Sequence, residues 1–442
     1  MNGKTLRFAL AASLSIIPVS LGAAQERAAV SSATQVVRTV TLDDAVELAL
    51  RANPAIISAQ GTLWGSRANR RQQAIGQWLP TVSASSGASK ASSTRFNQAT
   101  GQNVTVASAW SYNGSLSANL LLFDQGFQRV FQGRQANAFV DRDEAALIDQ
   151  KFQVTLQTKQ AFYDAVAAGE LERVRETQVQ QYAGQLRISK EKLAAGSAIR
   201  SDTLRATVLL GNQRVALIQA RATRSAAEAA LARVIGMDGS VKPVVDSAVM
   251  QITTLDTAAL RAEAVSGAPS ITRAEAGRRA AEAAVTIQRQ NYLPRVTASY
   301  SQQRSGTDLG NLTPGWNFGL NLSWQIFNGF GRETGLSNAL ASRETAIAQE
   351  ADARRLVEVQ VTQQVANLAA AEAQLEIAQA SRGAAEEDLR ISRERYRLGA
   401  ATLVDVLQAQ AGFDNTQVDA VNARKAYQVA KANLSALVGR EL

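Results

Sequence analysis

Two hydrophobic periods take turns along this chain. From Thr41, the stretch TLDDAVELALRANPAIISAQ sets Leu42, Ala45, Val46, Ala49 and Leu50 at helical spacing, with Thr41 and Asp44 placed as an N-cap and its partner. The Asn53-Pro54 step breaks or kinks that helix, and a more polar helix follows to about Gln77. In WLPTVSASSG (Trp78–Gly87) proline stops the helix and small residues alternate. Ala88–Ser108, rich in Ser, Asn and Gly, reads as a loop. The period then changes to two. Trp110, Tyr112, Leu116, Ala118, Leu120 and Leu122 fall on one face, and Ser111, Asn113, Ser115, Ser117 and Asn119 on the other. Trp110–Phe123 is therefore expected to be a strand with one apolar and one polar side.

After Phe123-Asp124-Gln125-Gly126 the helical period resumes and runs without proline to about Ala195. A helix of roughly seventy residues would extend about 105 Å, more than a globular domain uses. Beyond a turn at Gly196, a helix of about half that length reaches about Gly236. The programme then repeats. Ala258–Gln290 corresponds to the first helix, with Pro269 placed like Pro54, and NYLPRVTASYS (Asn291–Ser301) answers WLPTVSASSG. A Gly-rich loop, Ser305–Gly315, leads into Trp316–Gly331, where Trp316, Phe318, Leu320, Leu322, Trp324 and Ile326 alternate with Asn317, Asn321, Ser323 and Gln325. A second long helix runs to about Leu398 and a shorter one from Thr402 to about Val438.

The duplication is clearest in LRISKEKLAAGSAIRSDTLRAT (Leu186–Thr207) and LRISRERYRLGAATLVDVLQAQ (Leu389–Gln410). Leu186 and Leu389, Gly196 and Gly399, Asp202 and Asp405, Leu204 and Leu407 keep one spacing. We divide the chain into a first repeat, residues 25–240, and a second, 241–442. Two half-length helices stacked end to end match one long helix, so each repeat is expected to form one continuous and one broken antiparallel column. The segment around Gly236–Leu255 should lie near the break.

Composition narrows the chemistry. Among 442 residues there are only 7 prolines and 5% aromatics, which suits long helices. With no cysteine and no histidine, disulfides, thiolate metal sites, an amino-terminal lipid anchor and the usual general base are all excluded. No Gly-rich phosphate loop or nucleophile triad appears. The chain is thus expected not to be an enzyme and to need no cofactor or metal. Lys4 and Arg7, an apolar run from Phe8 to Leu21 and the small residues Gly22-Ala23-Ala24 read as a signal peptide, residues 1–24. The formal net charge of +9 is spread along helices with both signs interspersed, so no nucleic-acid partner is expected.

Four strands per chain cannot close a barrel, and an open edge cannot sit in hydrocarbon. Three copies would supply twelve strands, within the range of membrane barrels. The faces bearing Trp110, Tyr112, Trp316 and Trp324 would then meet lipid and the Ser/Asn faces water. A soluble two-sheet domain with one buried face accounts for the same alternation.

The order of elements (helix, Leu-Pro strand, Trp-initiated strand, Phe-Asp/Asn-Gly turn, long helix, Gly-containing tip with an Asp six residues on, helix) occurs twice between Thr41 and Leu442. In this the chain resembles the TolC family of outer-membrane efflux and secretion channels. The resemblance implies a mainly α fold with a small β part. In it, a homotrimer shares a twelve-stranded membrane barrel in the outer membrane, continued by a helical barrel through the periplasm. It implies a periplasmic adaptor and an inner-membrane pump, an ABC exporter or a proton-driven one, as partners. It also implies that Leu193, Gly196, Leu398 and Gly399 form tips that meet the adaptor, that Asp405 lines the closed aperture, and that Asp202 and Tyr396 belong to the links that keep it shut. Gln408 and Ala401 stand where the best-known member of that family has a second aperture aspartate and a gate arginine. A single carboxylate ring and altered closing links are therefore expected.

The same residues read without the resemblance as helix punctuation. Gly196 and Gly399 suit the left-handed position after a helix, and Thr402 with Asp405 fits a capping box. For function, an exit duct for type I protein secretion competes with a multidrug efflux channel for small molecules. The chain lacks the lipid-anchoring cysteine common in the drug-efflux branch of the family, and its Leu-Asp-Asp-Ala-Val…Asn-Pro opening resembles the secretion branch, which favours secretion. A secreted helical structural protein would explain the leader and the helices but not the two Trp-initiated strand regions.

Overall fold

A computed structural model describes residues 38–99, 101–107, 110–197, 199–245 and 268–438. The expected signal peptide (1–24) and residues 258–267 of the expected Ala258–Gln290 helix lie outside them. The described residues open with β1 (Arg38–Val40), α1 (Leu42–Ala52) and α2 (Pro54–Ala74). The break between the two helices is local chemistry. Asn53 is extended, its Oδ1 accepts from the Ala55 amide at 2.9 Å, and Pro54 takes the first helical position. A single 3-10 turn, Gly76–Trp78, precedes β2 (Thr81–Ser89), so the second helix stops slightly before Gln77.

Ala88–Ser108 is not a simple loop. β2 continues to Ser89, and β3 (Ser92–Asn97) pairs antiparallel with β4 (Gln102–Ala107) in a separate hairpin. Asn and Gly lower the strand propensity of this stretch, and its ladder hydrogen bonds offset that loss. β5 (Ser111–Asp124) leads to α3 (Gln128–Ala194), 67 residues and about 100 Å long, followed by α4 (Arg200–Val234) and β6 (Val241–Pro243). Next come α5 (Pro269–Gln290), β7 (Arg295–Gly306) and β8 (Thr313–Ser323). Both strands reach further into the expected Ser305–Gly315 loop than its glycines indicate. The chain ends with α6 (Gly331–Arg397), again 67 residues, and α7 (Leu403–Val438).

β2, β5, β7 and β8 form one antiparallel sheet in that order. The register places Ser83 opposite Ser117 and Ser85 opposite Ser115, with hydroxyl contacts of 2.7 and 2.8 Å, and continues through Ser301, Ser299 and Asn317. The other face aligns Ala118, Tyr300 and Phe318, then Leu120, Ala298 and Leu320. Both outer strands, β2 and β8, have one unpaired edge within the chain. On the apolar face Trp316 is 74% exposed and Leu322 67%. The 11 residues of β8 extend about 37 Å. At the tilt usual for membrane strands they cover a hydrocarbon layer of about 25–30 Å.

The sheet hands over to the long helices through two joints. Gln125, Gly126 and Phe127 are all left-handed, and a Cβ on Gly126 would sit 2.6 Å from Leu293. There Asp124 Oδ2 accepts from the Arg129 amide at 2.6 Å, the Arg129 guanidinium lies 3.2 Å from Asp124 Oδ1 and 3.9 Å over the Trp78 ring, and both charges are buried. At the second joint Gly329 and Phe330 are left-handed, and Asn328 stands where the first has aspartate. Arg332 donates to the Gln325 and Ile326 carbonyls at 2.8 and 2.7 Å and covers Tyr292.

The helices form four columns: α2 and α4, then α3, then α5 and α7, then α6. Each broken column lies beside a continuous one, as the lengths require. Apolar clusters seal both breaks. Ala45, Ala49 and Ile56 meet Val154, Phe162, Leu231 and Val241 at one. Ala268 and Ile271 meet Val357, Val361, Leu434 and Val438 at the other. Fully burying one such large side chain contributes about 1.5–3 kcal/mol. β1 and β6 pair in parallel beside the first cluster, tying the strand after α4 to the start of the chain. Among the described residues no helix is long and apolar enough to cross a membrane.

Candidate functional site

The far ends of the two long helices carry the candidate residues. α3 ends when Gly196 turns left-handed (φ +70°), donating to the Leu193 carbonyl at 3.0 Å, while the Ser197 amide reaches Lys192 O at 2.9 Å. α6 ends the same way. Gly399 (φ +77°) donates to Tyr396 O at 3.2 Å and Ala400 to Arg395 O at 2.8 Å. These paired bonds satisfy the last free carbonyls of each helix. A Cβ at either glycine would meet nothing within 4 Å, so only the backbone angle requires glycine there.

The helices that follow start differently. Thr402 and Asp405 form a complete capping box. Asp405 Oδ2 accepts from the Thr402 amide and hydroxyl, both at 2.8 Å, and the Asp405 amide donates to Thr402 Oγ1 at 3.3 Å. α4 opens on Ile199, which offers no side-chain cap, and Asp202 makes only a backbone bond to Ile199 O at 3.1 Å. The Asp405 carboxyl is held below its ordinary value, first by the backbone hydrogen bond from Thr402 and then by its hydroxyl, with Arg395 adding attraction.

The two tips touch. Lys192 Nζ lies 3.6 Å above the ring of Tyr396, a cation–π contact between α3 and α6. Neither Asp202 nor Asp405 forms an ion pair among the described residues, so within one chain Tyr396 is engaged by Lys192 rather than Asp202. Leu398 is exposed, Leu193 half-buried, and the tip glycines and Asp405 open to solvent. Behind the tips an open groove of about 1130 Å³ runs between α3 and α6, with Val406 and Phe413 of α7 at its floor. Lys192 escaped the sequence reading. Its signal is a cation in the last turn of α3, where the helix dipole favours one. The buried polar residues Gln178, Tyr182, Gln410 and Asp414, higher in the same bundle, escaped too.

Residues 45–237 and 260–440 match the outer membrane efflux protein family. The protein CyaE of Bordetella pertussis is 29% identical over 85% of this chain and 78% of its own length. The pyoverdine export outer membrane protein OpmQ of Pseudomonas aeruginosa is 25% identical over 82% of this chain and 77% of its own. Among solved structures, the Campylobacter jejuni CmeC outer membrane channel superposes with a TM-score of 0.76 at 18% identity, covering 90% of this chain and 85% of that one.

Proposed function

Because the chain belongs to the outer membrane efflux protein family, we propose that it is the exit duct of a tripartite export machine, built from three copies. One observation carries this reading: a four-stranded sheet with an exposed apolar face and an unpaired edge at each side. Such edges are excluded from hydrocarbon unless they pair. Three copies joined β2 to β8 give twelve strands and a closed barrel in the outer membrane. The outer columns support the same closure. α4 presents Leu204, Val208, Val215 and Ile218, and α6 presents Ile377, Ile391 and Leu398, as exposed apolar stripes at helical spacing. Copies meeting α4 to α6 would cover both stripes. The helices then continue the barrel into the periplasm as a tube.

In this assembly the Leu193, Gly196, Leu398 and Gly399 tips dock a periplasmic adaptor, which links the duct to an inner-membrane ABC exporter or proton-driven pump. Three Asp405 carboxylates ring the aperture. Asp202 and Tyr396 supply links that hold it closed; neutral Gln408 leaves one carboxylate ring, and Ala401 alters the links. The duct itself does no chemistry; the energy comes from the pump. Purified trimers in planar bilayers should conduct ions, and Asp405→Ala should reduce cation preference. A chain that stays a water-soluble monomer would sink the duct reading.

For the substrate, unfolded polypeptide in type I secretion is the reading we favour. The polar sheet face from Ser111 to Asn119 and from Thr297 to Ser305 is lined by Ser, Thr, Asn and Gln without a charge, which suits a polymer bearing both signs. Small-molecule efflux is the second reading, favoured by the similarity to a protein named for pyoverdine export. Deleting the gene and comparing secreted proteins with drug tolerance separates the two. A missing secreted polypeptide at unchanged tolerance is expected, and the reverse outcome transfers the assignment to small molecules.

A further inference from the structure

In the tip half, the seam between α3 and α7 is polar where the rest of the bundle is apolar. Gln178 and Tyr182 face it from α3, Gln410 and Asp414 from α7, and each is 5% exposed or less. Most polar atoms here are tied across helices. Gln178 Nε2 donates to the Asp414 carbonyl at 3.4 Å, and Gln410 Nε2 donates to Gln181 Oε1 at 2.7 Å and Asp414 Oδ1 at 2.8 Å. Arg393 reaches in from α6 and donates to Gln410 Oε1. Asp414 Oδ2 is enclosed with no partner in hydrogen-bond geometry, as are Gln185 Nε2 and Ser189 Oγ further along α3. Tyr182 and Arg175 of α3 and Arg393 of α6 are the titratable or charged groups that face the Asp414 carboxyl.

A carboxylate with a bare, enclosed oxygen is costly, whereas the neutral acid places a proton on that oxygen. We propose that Asp414 is a proton-operated latch. Neutral, it lets α3 and α7 close on each other; ionised, it loosens the seam and frees the α6–α7 hairpin to move off the α3–α4 hairpin. Burial is the strongest influence on this carboxyl and pushes its pKa above the ordinary value, against smaller pulls from the Gln410 hydrogen bond, the neighbouring Tyr182 phenol, Arg175 and Arg393. The Tyr182 phenol is pushed up as well, by burial and then by the Asp414 charge. The closed seam therefore holds its proton more tightly than a solvated aspartate would. It is firmest below the ordinary aspartate value of 3.8 and weakens as pH rises through the raised one. Asp405, nine residues along the same helix, is shifted the other way and exposed, so it does not titrate in that window.

The inference rests on packing within one chain and is independent of the duct reading. The chain has no native cysteine, so a thiol placed by Ser189→Cys reports on the seam. Ser189 is fully enclosed and continues the α3 stripe of Gln178, Tyr182 and Gln185. Maleimide labelling of the full chain in outer-membrane vesicles is compared between Ser189→Cys alone and Ser189→Cys with Asp414→Asn, each at the same pH so that thiol ionisation cancels. Labelling should be several-fold slower with Asp414→Asn at about pH 8, and the difference between the two should narrow steadily as pH falls. Tyr182→Phe removes one downward pull, so it should move the transition to higher pH; it serves as the decisive variant if Asp414→Asn does not fold. Equal labelling across the whole pH series, or a transition unmoved by Tyr182→Phe, overturns the latch.

Discussion

The α3–α4 and α6–α7 hairpins share a backbone plan and differ in where they are electrostatically fixed. Both long helices are 67 residues, both leave the sheet through left-handed residues, and both end on a left-handed glycine with the same pair of carbonyl bonds. The first hairpin has its strong polar contact at the membrane end, where Asp124 and Arg129 are buried together. At its tip, α4 starts without a side-chain cap. The second has neutral Asn328 at the membrane end and the Thr402–Asp405 capping box at its tip. Backbone angles are shared while charges have moved to opposite ends. The shape needs the glycines, whereas the polar contacts decide which end of each hairpin resists movement. In the proposed duct the buried pair sits where the barrel meets lipid and the capping box at the far end.

The largest effect should come from the first joint. Arg129→Ala leaves the buried Asp124 carboxylate unpaired, and breaking such a pair costs about 3–5 kcal/mol. Arg332→Ala removes hydrogen bonds to two carbonyls and strands no opposite charge, for about 1–3 kcal/mol. Heat resistance of the purified assembly should fall far more for the first variant. Equal losses would break the contrast between the joints.

The tips should respond alike to a change of glycine. Gly196→Val and Gly399→Val force a β-branched side chain into left-handed backbone, at about 1–2 kcal/mol each. With nothing near either Cβ, the two costs should match. A clear difference in amide exchange at the two helix ends would show that one glycine serves a contact and not only an angle.

A smaller test reverses the sign between hairpins. Thr402→Ala removes the cap of α7 and should cost about 1 kcal/mol, read as faster amide exchange in its first turn. Ile199→Thr adds the missing cap to α4, since Ile199 is already extended and Asp202 stands three residues on. It should slow exchange there by a comparable or smaller margin.

Much of this design was legible as punctuation. Asn53-Pro54, the Leu-Pro steps and the two tip glycines mark the places where backbone angles change, so helix ends came out within a few residues. The alternation in Trp110–Phe123 and Trp316–Ile326 located β5 and β8, although β8 ends at Ser323 and Gln302 and Arg304 of β7 share the apolar face. The β3–β4 hairpin was hidden because Ser, Thr and Asn carry no period. Asp414 was hidden for the opposite reason. Gln and Asp in a charged helix look solvated, and only the approach of α3 buries them. The Lys192–Tyr396 contact joins residues two hundred positions apart, and no local spacing encodes it.

The smallest effect is one of pH and isolates the cap from the turn. The Asp405 carboxyl is shifted below 3.8, so its contribution is fully present above the ordinary aspartate value and is lost as pH falls through the lowered one. At neutral pH nothing should change. In acid below the ordinary range, the first turn of α7 should exchange its amides faster, because a protonated carboxyl accepts less well from the Thr402 amide and hydroxyl. Asp405→Asn should show the acid behaviour already at neutral pH, and Thr402→Ala should remove most of the pH response along with the cap. The Gly399 turn, held by backbone bonds alone, should be indifferent to all three changes. If the turn loosened together with the cap, α7 would be organised by Asp405 rather than by the glycine, and the two tips would no longer be one backbone with different charges.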